Sequence, residues 1–181
     1  MGRLDDQLNP QNLHYKELVR QMFLSSGMVF TEEELAKIEY ADFGLGNIEN
    51  EGLNLFVYEN NERYCAKELV LLPFQTCPEH RHPPRGNMEG KKETFRCRKG
   101  LVYLYVESCI SDKNHSCKIP KGQENYYTAQ HEVVLHPGEQ YTIEPDHRHW
   151  FQAGKEGAVI SEFSSSSDDA SDIFTDPRIK R

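Results

Sequence analysis

At 181 residues the chain has the length of one domain, long enough to bury an apolar core without disulfide support and short for two. Its 29 acidic and 21 basic side chains give a net charge of −8, which repels phosphate backbones and anionic lipid, and no Lys/Arg run reverses this locally. Nucleic acid and membrane are therefore not expected partners, and no apolar run approaches the roughly 20 residues that span a bilayer.

The first dozen residues are polar. From Leu13 to Leu24, apolar residues at Leu13, Leu18, Val19, Met22 and Phe23 recur with helical spacing and predict a helix lying on another surface. Thr31, followed by Glu32, Glu33 and Glu34, has the form of an N-cap with an acidic first turn. Leu35, Ile38 and Tyr40 supply the apolar stripe of a second short helix, and Gly44 and Gly46 close this helical extension over about 13–40.

From Gly52 the apolar period becomes two, the signature of strands with one buried face. Strands are predicted at 54–60, 64–72, 92–98, 101–106, 131–135, 140–143, 149–153 and 158–164. Asn60-Asn61, Lys99-Gly100, Pro137-Gly138, Glu144-Pro145-Asp146 and the stretch from Gly154 to Gly157 stand between strands as turns. So many short strands predict an all-β antiparallel barrel over about 52–164 within a single domain, 1–181. The acidic, Ser-rich stretch from Ser164 to Asp172 reads as a surface segment, with Ile173-Phe174 placed to re-anchor the end on the barrel.

Cys65, Cys77, Cys97, Cys109 and Cys117 are odd in number, lack a Cys-x-x-Cys pair and follow no signal-like leader. They read as mostly buried thiols of a reducing, cytoplasmic protein. The Asn114-His115-Ser116 sequon carries little meaning without secretion.

His80 and His82 are one residue apart, so on an extended segment their imidazoles point the same way. Glu93 begins the next strand after a loop containing Pro83, Pro84, Gly86 and Gly90, and in a hairpin its carboxylate reaches the same face. His149 opens another strand after the Pro145 turn. Three imidazoles and a carboxylate suit manganese, iron, nickel, cobalt or zinc, with positions left for water or substrate. Any one of the eight histidines is more often an ordinary polar group. The shared face and the strand-borne carboxylate distinguish this set, with Glu79 and Glu89 as alternative carboxylates.

The stretch Cys77-Pro78-Glu79-His80-Arg81-His82, followed by Glu93-Thr94-Phe95 and Gly100, resembles the first conserved motif of the cupin superfamily, and Pro145 with His149 resembles the second. The resemblance implies a jelly-roll-type barrel with His80, His82, Glu93 and His149 as metal ligands. The His82–Glu93 interval is longer than in most cupins, and Asp146-His147-Arg148 lacks the glycine usual after the second-motif proline.

A closer resemblance, to the bacterial D-lyxose ketol-isomerases, runs from Tyr40-Ala41-Asp42-Phe43-Gly44-Leu45-Gly46 to Asp172-Ile173-Phe174-Thr175-Asp176-Pro177-Arg178-Ile179. Its specific parts are Arg63-Tyr64-Cys65-Ala66-Lys67-Glu68-Leu69, Gly90-Lys91-Lys92-Glu93-Thr94-Phe95-Arg96-Cys97, and the Arg148 turn leading into His149-Trp150-Phe151-Gln152-Ala153-Gly154. It implies a manganese-dependent, homodimeric enzyme that interconverts D-lyxose with D-xylulose, and often D-mannose with D-fructose, by enediol chemistry. It further implies that Lys67 and Glu162 carry the proton transfers.

The residues by themselves leave Lys67 either solvated at a strand end or turned into the barrel mouth. They leave Glu162 either at the rim or inside, where it needs a partner such as Lys67 or a substrate hydroxyl. Phe95, Tyr103, Tyr105, Tyr141, Trp150 and Phe151 are candidate pocket walls, with Trp150 or its strand neighbour expected against a sugar. Arg81, Arg85, Arg96, Arg98 and Arg148 are too scattered to declare a phosphate pocket, so the substrate is expected to be unphosphorylated. The rival readings are a metal-dependent oxygenase on the same barrel and a non-catalytic sugar-binding cupin.

Overall fold

A computed structural model of the chain describes residues 10–110, 112 and 115–180. The start of the polar leader and Asn114 of the sequon lie outside the described residues.

Helix α1, Pro10–Leu24, docks through Tyr15, Val19 and Phe23, a row spaced by four that falls on one helical face. Leu13 and Leu18, expected on that face, are exposed. Tyr15 takes their place because its hydroxyl finds partners inside, donating to Asn54 Oδ1 at 2.8 Å and accepting from Gln75 Nε2 at 2.8 Å. Helix α2, Glu32–Ala36, starts at the expected Thr31 cap, and Glu34 answers with its carboxylate on the Thr31 amide to complete a capping box. Leu35, Ile38 and Phe30 join the α1 row on Phe56, Val70 and Val159, so the helices cover the outer face of a sheet.

Among the described residues nine strands form that sheet: β1 Glu39–Ala41, β2 Leu53–Asn60, β3 Cys65–Leu71, β4 Thr76–Arg81, β5 Glu93–Val106, β6 His131–Leu135, β7 Gln140–Ile143, β8 His149–Ser164 and β9 Ile173–Phe174. All strand pairings are antiparallel. The order β1-β2-β3-β8-β4-β9 continues through β5, which pairs with β8 along its length and also with β6 and β7. Strand β8 is thus shared, its second half bonded to β3 and its first half to β4. The sheet curls around a core that includes Leu55, Leu69, Phe95, Leu104, Phe151 and Ile160.

Two predicted turns are not turns. Lys99-Gly100 and the stretch from Gly154 to Gly157 lie inside β5 and β8, each a single long strand. The β5–β8 register slips between Cys97 and Lys99 and again between Gly100 and Val102. Gly100 and Gly157 both have positive φ, +76° and +73°, and a Cβ on Gly100 would lie 2.0 Å from the Gly157 carbonyl oxygen. The glycines let two paired strands bend together as bulges, which a local pattern cannot tell from a reversal.

Strand β4 escaped prediction because its first five residues are all buried, several of them polar, so it shows no alternation. Pro78, which has no amide to donate, sits where the β4–β8 register skips between Cys77 and His80. The segment from Ser164 to Asp172 is not a surface tail either. Ser167 is buried, exchanging hydrogen bonds with Asn60, and the chain then re-enters the sheet as β9, with Phe174 opposite His80 as the Ile173-Phe174 anchor required. No helix among the described residues is long and apolar enough to cross a membrane.

Candidate active site

Pairing of β4 with β8 sets His80 opposite His149, His82 follows just past the end of β4, and Glu93 opens β5. The His80 and His149 rings are 4.3 Å apart and those of His80 and His82 4.9 Å. One nitrogen from each histidine lies within 4.8 Å of the others, and all three side chains are buried.

The other nitrogen of each ring is anchored. Nδ1 of His80 meets the Pro78 carbonyl at 2.9 Å, Nδ1 of His149 meets the His147 carbonyl at 3.0 Å, and Nδ1 of His82 meets Asp172 Oδ1 at 2.5 Å. In its neutral form each ring, donating from Nδ1, presents its Nε2 lone pair toward the shared centre, as in metal-ligating histidines. Nε2 of His149 is buried without a hydrogen-bond partner. Glu93 Oε1 stands 2.9 Å from it and 3.0 Å from His82 Nε2. The orphaned nitrogen and the convergent nitrogen and oxygen donors fit a divalent metal ion, and His80, His82 and His149 could hold one.

Burial, reinforced by the charges of His149 and His82, holds the His80 pKa well below its ordinary value and keeps its ring neutral. Burial also opposes charge on His82, but Glu93 and the bond to Asp172 outweigh it and raise that pKa to about 9. For Glu93 the burial penalty is overcome by Lys91, His82 and His149, which hold its carboxyl well below the usual range. Glu79 is elsewhere engaged, accepting from the Thr128 and Ala129 amides and from the Thr128 and Thr175 hydroxyls at 2.6–2.8 Å. Glu89 is exposed. Of the three carboxylates weighed from sequence, only Glu93 is brought to the histidines.

Lys67 and Glu162 are both turned inward and face each other across the β3–β8 register. They are not each other's direct partner. Glu162 Oε1 lies 2.5 Å from Lys91 Nζ, which also reaches Glu93 Oε2 at 2.7 Å. Lys67 Nζ instead donates to Asp169 Oδ1 at 3.0 Å and Ser167 Oγ at 3.1 Å. Burial opposes the charge on both lysines, yet Glu162, aided by Asp169 for Lys67 and by Glu93 for Lys91, raises both pKa values.

Lys91, Asp169 and Asp172 were not singled out from sequence. Lys91 stands two residues before Glu93, the same spacing that joined His80 to His82, so its face was readable. The two aspartates arrive through the folded-back segment after β8 and gave no local signal.

Trp150 faces away from the site. It stacks on Tyr105 at 4.0 Å and donates its indole N–H to the Ala129 carbonyl. Its neighbour Phe151, on the parity of His149, lines the cavity with Phe95, and Phe174 stacks on His80 at 5.3 Å. His80, His82 and Glu93, together with Lys91, Glu162, Lys67 and Asp169, thus line one small cavity. A carboxylate in contact with an ammonium, beside a donor set that could hold a divalent ion, is suited to proton transfer.

Comparison with known proteins bears on what the arrangement serves. The family described as D-lyxose isomerase matches residues 33–181. The chain is 63% identical over 166 residues to the D-lyxose/D-mannose isomerase of Thermosediminibacter oceani, and 57% identical over 166 residues to the D-lyxose ketol-isomerase of Cohnella laeviribosi. Each alignment covers 92% of this chain and 91% of the relative. Among solved structures, the L-ribose isomerase of Acinetobacter sp. DL28 in complex with L-ribose superimposes with a TM-score of 0.73 at 17% identity, covering 92% of this chain and 93% of that one. The fold is the cupin barrel expected from the sequence.

Proposed function

Because the chain belongs to the D-lyxose isomerase family, we propose that it is a metal-dependent aldose–ketose isomerase interconverting D-lyxose with D-xylulose, and D-mannose with D-fructose, through an enediol. The observation that carries the reading is the unbroken line Glu162–Lys91–Glu93 running into the three histidines. His80, His82, Glu93 and His149 would hold one divalent ion, Mn2+ in the first instance, although Co2+, Ni2+, Fe2+ and Zn2+ accept the same donors. When bound, such an ion supplies charge stabilisation to the oxygens on the two reacting sugar carbons.

Glu162 is the base, taking a proton from one of those carbons and returning it to the other. Lys91, an ammonium held between two carboxylates, orients Glu162 and donates to the sugar oxygen as its charge grows. Lys67, to which the family resemblance gives a share of the proton transfer, lines the same cavity opposite Glu162 in the β3–β8 ladder and would assist transfer between the sugar oxygens as an ammonium. The charged lining supports proton transfer over oxygen activation, and the carboxylate among the cavity groups supports turnover over mere binding. Asp169 and Asp172 beside the cavity would repel a phosphate, which supports an unphosphorylated aldose. A homodimeric assembly and a cytoplasmic setting belong to the same proposal, and sedimentation of the purified protein checks the first.

The test is metal-stripped protein assayed on D-lyxose and D-mannose with each divalent ion restored singly. Turnover that returns with at least one ion is the expected result, and none with any ion removes the reading.

A further inference from the structure

We propose that Asp172 is a positioning residue of the metal site: delivered by β9, it holds the His82 ring in the direction a ligand needs, and so sets how tightly a divalent ion is bound. The inference rests on the metal-dependent reading above and deepens it.

The pairing of β9 with β4 is short, with His80 opposite Phe174 and Arg81 opposite Ile173. One further step of the same register sets Asp172, itself in extended backbone, opposite His82. Residues two apart on an extended chain share a face, so Asp172 and Phe174 turn toward the histidines, while Ile173 between them turns away and is 44% exposed. Each inward residue meets one ring. Phe174 stacks on His80 with centroids 5.3 Å apart, and Asp172 Oδ1 meets His82 Nδ1 at 2.5 Å.

His82 depends on such a partner more than its neighbours do. The rings of His80 and His149 each find an acceptor in the carbonyl two residues earlier in the chain, at Pro78 and His147. His82 stands just past the end of β4 and takes its acceptor from 90 residues away. Its backbone is held, because the Asp146 amide donates to its carbonyl at 3.2 Å and a Cβ on Gly90 would lie 2.4 Å from the same oxygen. Those contacts do not fix rotation of the ring about its side-chain bonds. Among the described residues, the ring nitrogens of His82 meet Asp172 and Glu93 alone. Glu93 is a proposed ligand in its own right, which leaves Asp172 to orient the ring.

Asp172 is in turn built into the fold. Its side chain is 3% exposed, and a carboxylate is seldom buried so far without a partner that requires it. The chain before it makes the 3-10 turn Asp169–Ser171, where the Asp169 carbonyl accepts the Asp172 amide. The chain after it is tied again beside β4, the Thr175 amide donating to the Glu79 carbonyl at 3.1 Å and the Thr175 hydroxyl to the Glu79 carboxylate at 2.6 Å. The carboxylate is thus fixed from both sides. An acceptor on the far nitrogen of a ligating histidine sets its tautomer and direction and raises its basicity, and loss of that acceptor costs roughly 10- to 100-fold in metal affinity.

Parent, Asp172→Leu and Asp172→Asn proteins are to be stripped and titrated with Zn2+ against a competing chelator of known affinity. Leucine is close to aspartate in size but accepts no hydrogen bond, so Kd should rise by roughly 10- to 100-fold. Asparagine keeps an oxygen for the Nδ1–H, as the backbone carbonyls do for the other two rings, and should bring Kd back to within a few-fold of the parent. It also serves should the leucine variant fold poorly. In nitrogen-labelled, zinc-loaded parent, the Nδ1–H of His82 should give a slowly exchanging imidazole resonance; Asp172→Leu should lose it and keep those of His80 and His149, a selective loss that general loosening of the fold would not produce. A parental Kd in Asp172→Leu overturns the positioning role, as do equal losses of affinity in the leucine and asparagine variants. A parent that binds no ion removes the metal reading itself, and the positioning role with it.

Discussion

Two adjacent rows of the β3–β8 ladder face opposite ways: Lys67 and Glu162 point into the barrel, Glu68 and Ser161 point out beneath the helical extension. Lys67, Glu68 and Glu162 are each 4% exposed. Their electrostatic outcomes nevertheless differ. Inside, two ammonium groups and three carboxylates alternate, and Lys67 and Lys91 are held more firmly protonated than usual in spite of burial. Outside, Glu68 accepts the Ser161 hydroxyl at 2.6 Å on one oxygen while the other has no partner, and burial pushes its pKa to about 7. Burial does not decide the charge state; the neighbours do. The inner row is built as a set, and its members should fail as a set.

The sharpest break in the inner row is removal of a metal donor. Alanine at His82 should empty the site and lower turnover by roughly 1000-fold or more, since a bound ion contributes several kcal/mol of charge stabilisation. The barrel should stay folded, because its apolar core is built of hydrophobic side chains with no metal-binding histidine among its members. Metal analysis with circular dichroism checks both, and full occupancy in the variant would remove His82 from the ligand set.

One step further from the ligands, Glu162→Gln keeps shape and removes the base, and Lys91→Met keeps the stem and removes the ammonium. Each should cost turnover on the order of 100-fold, the usual worth of a general acid or base, while metal content stays near that of the parent in the glutamine variant. Solvent deuterium separates proton transfer from its alternative. The parent enzyme in heavy water should place label on the isomerised carbon, and Glu162→Gln should lose that exchange. A parent that moves the substrate hydrogen with no label at partial conversion points to a hydride shift and away from Glu162 as base.

This contrast also marks how far the sequence could be read. The inward histidines were legible because i and i+2 on an extended chain share a face; Glu93 was expected through a hairpin that does not form, since β4 pairs with β8 and β9 and the Glu93 strand β5 lies on the other side of β8. Barrel class and the Thr31 cap were legible for the same reason, that the signal is local. What failed was long-range. Glycine bulges in β5 and β8 look like turns until the partner strand is present, with Gly100 against Gly157. β4 is buried on both faces and has no alternation to detect. The stretch from Ser164 to Asp172 has the composition of a solvated tail, yet Asp169 and Asp172 acquire a purpose once Lys67 and His82 stand opposite them. Of the two aromatics weighed beside His149, strand parity keeps Phe151 on the cavity side and sends Trp150 to the other face.

The outer row yields the smallest expected effect and the cleanest sign. Facing Glu68 are the Ser161 hydroxyl and Arg98, whose Nε donates to Ser161 Oγ at 2.7 Å, together with the Tyr58 phenol on β2, whose own pKa is pushed up to about 12 by burial and then by Glu68. Arg98 pulls the Glu68 pKa down, but less than burial raises it. A carboxyl at about 7 folded against 4.5 unfolded binds its proton more tightly in the native state. Its contribution to stability is therefore complete below pH 4.5 and is lost as pH rises through 7. Glutamine at Glu68 cannot ionise and keeps an oxygen for Ser161, so it should be more stable than the parent at pH 8 relative to pH 5, by roughly 1–2 kcal/mol after solvent screening. Whatever the buried amide costs is independent of pH and cancels in that comparison. Urea unfolding of both proteins at the two pH values measures the difference, and an equal offset at pH 5 and pH 8 would mean that Glu68 is ionised in the fold at both. Turnover should not change, because Glu68 lies on the face of β3 opposite the cavity, and that silence would separate the two rows as sharply as any inner-row variant.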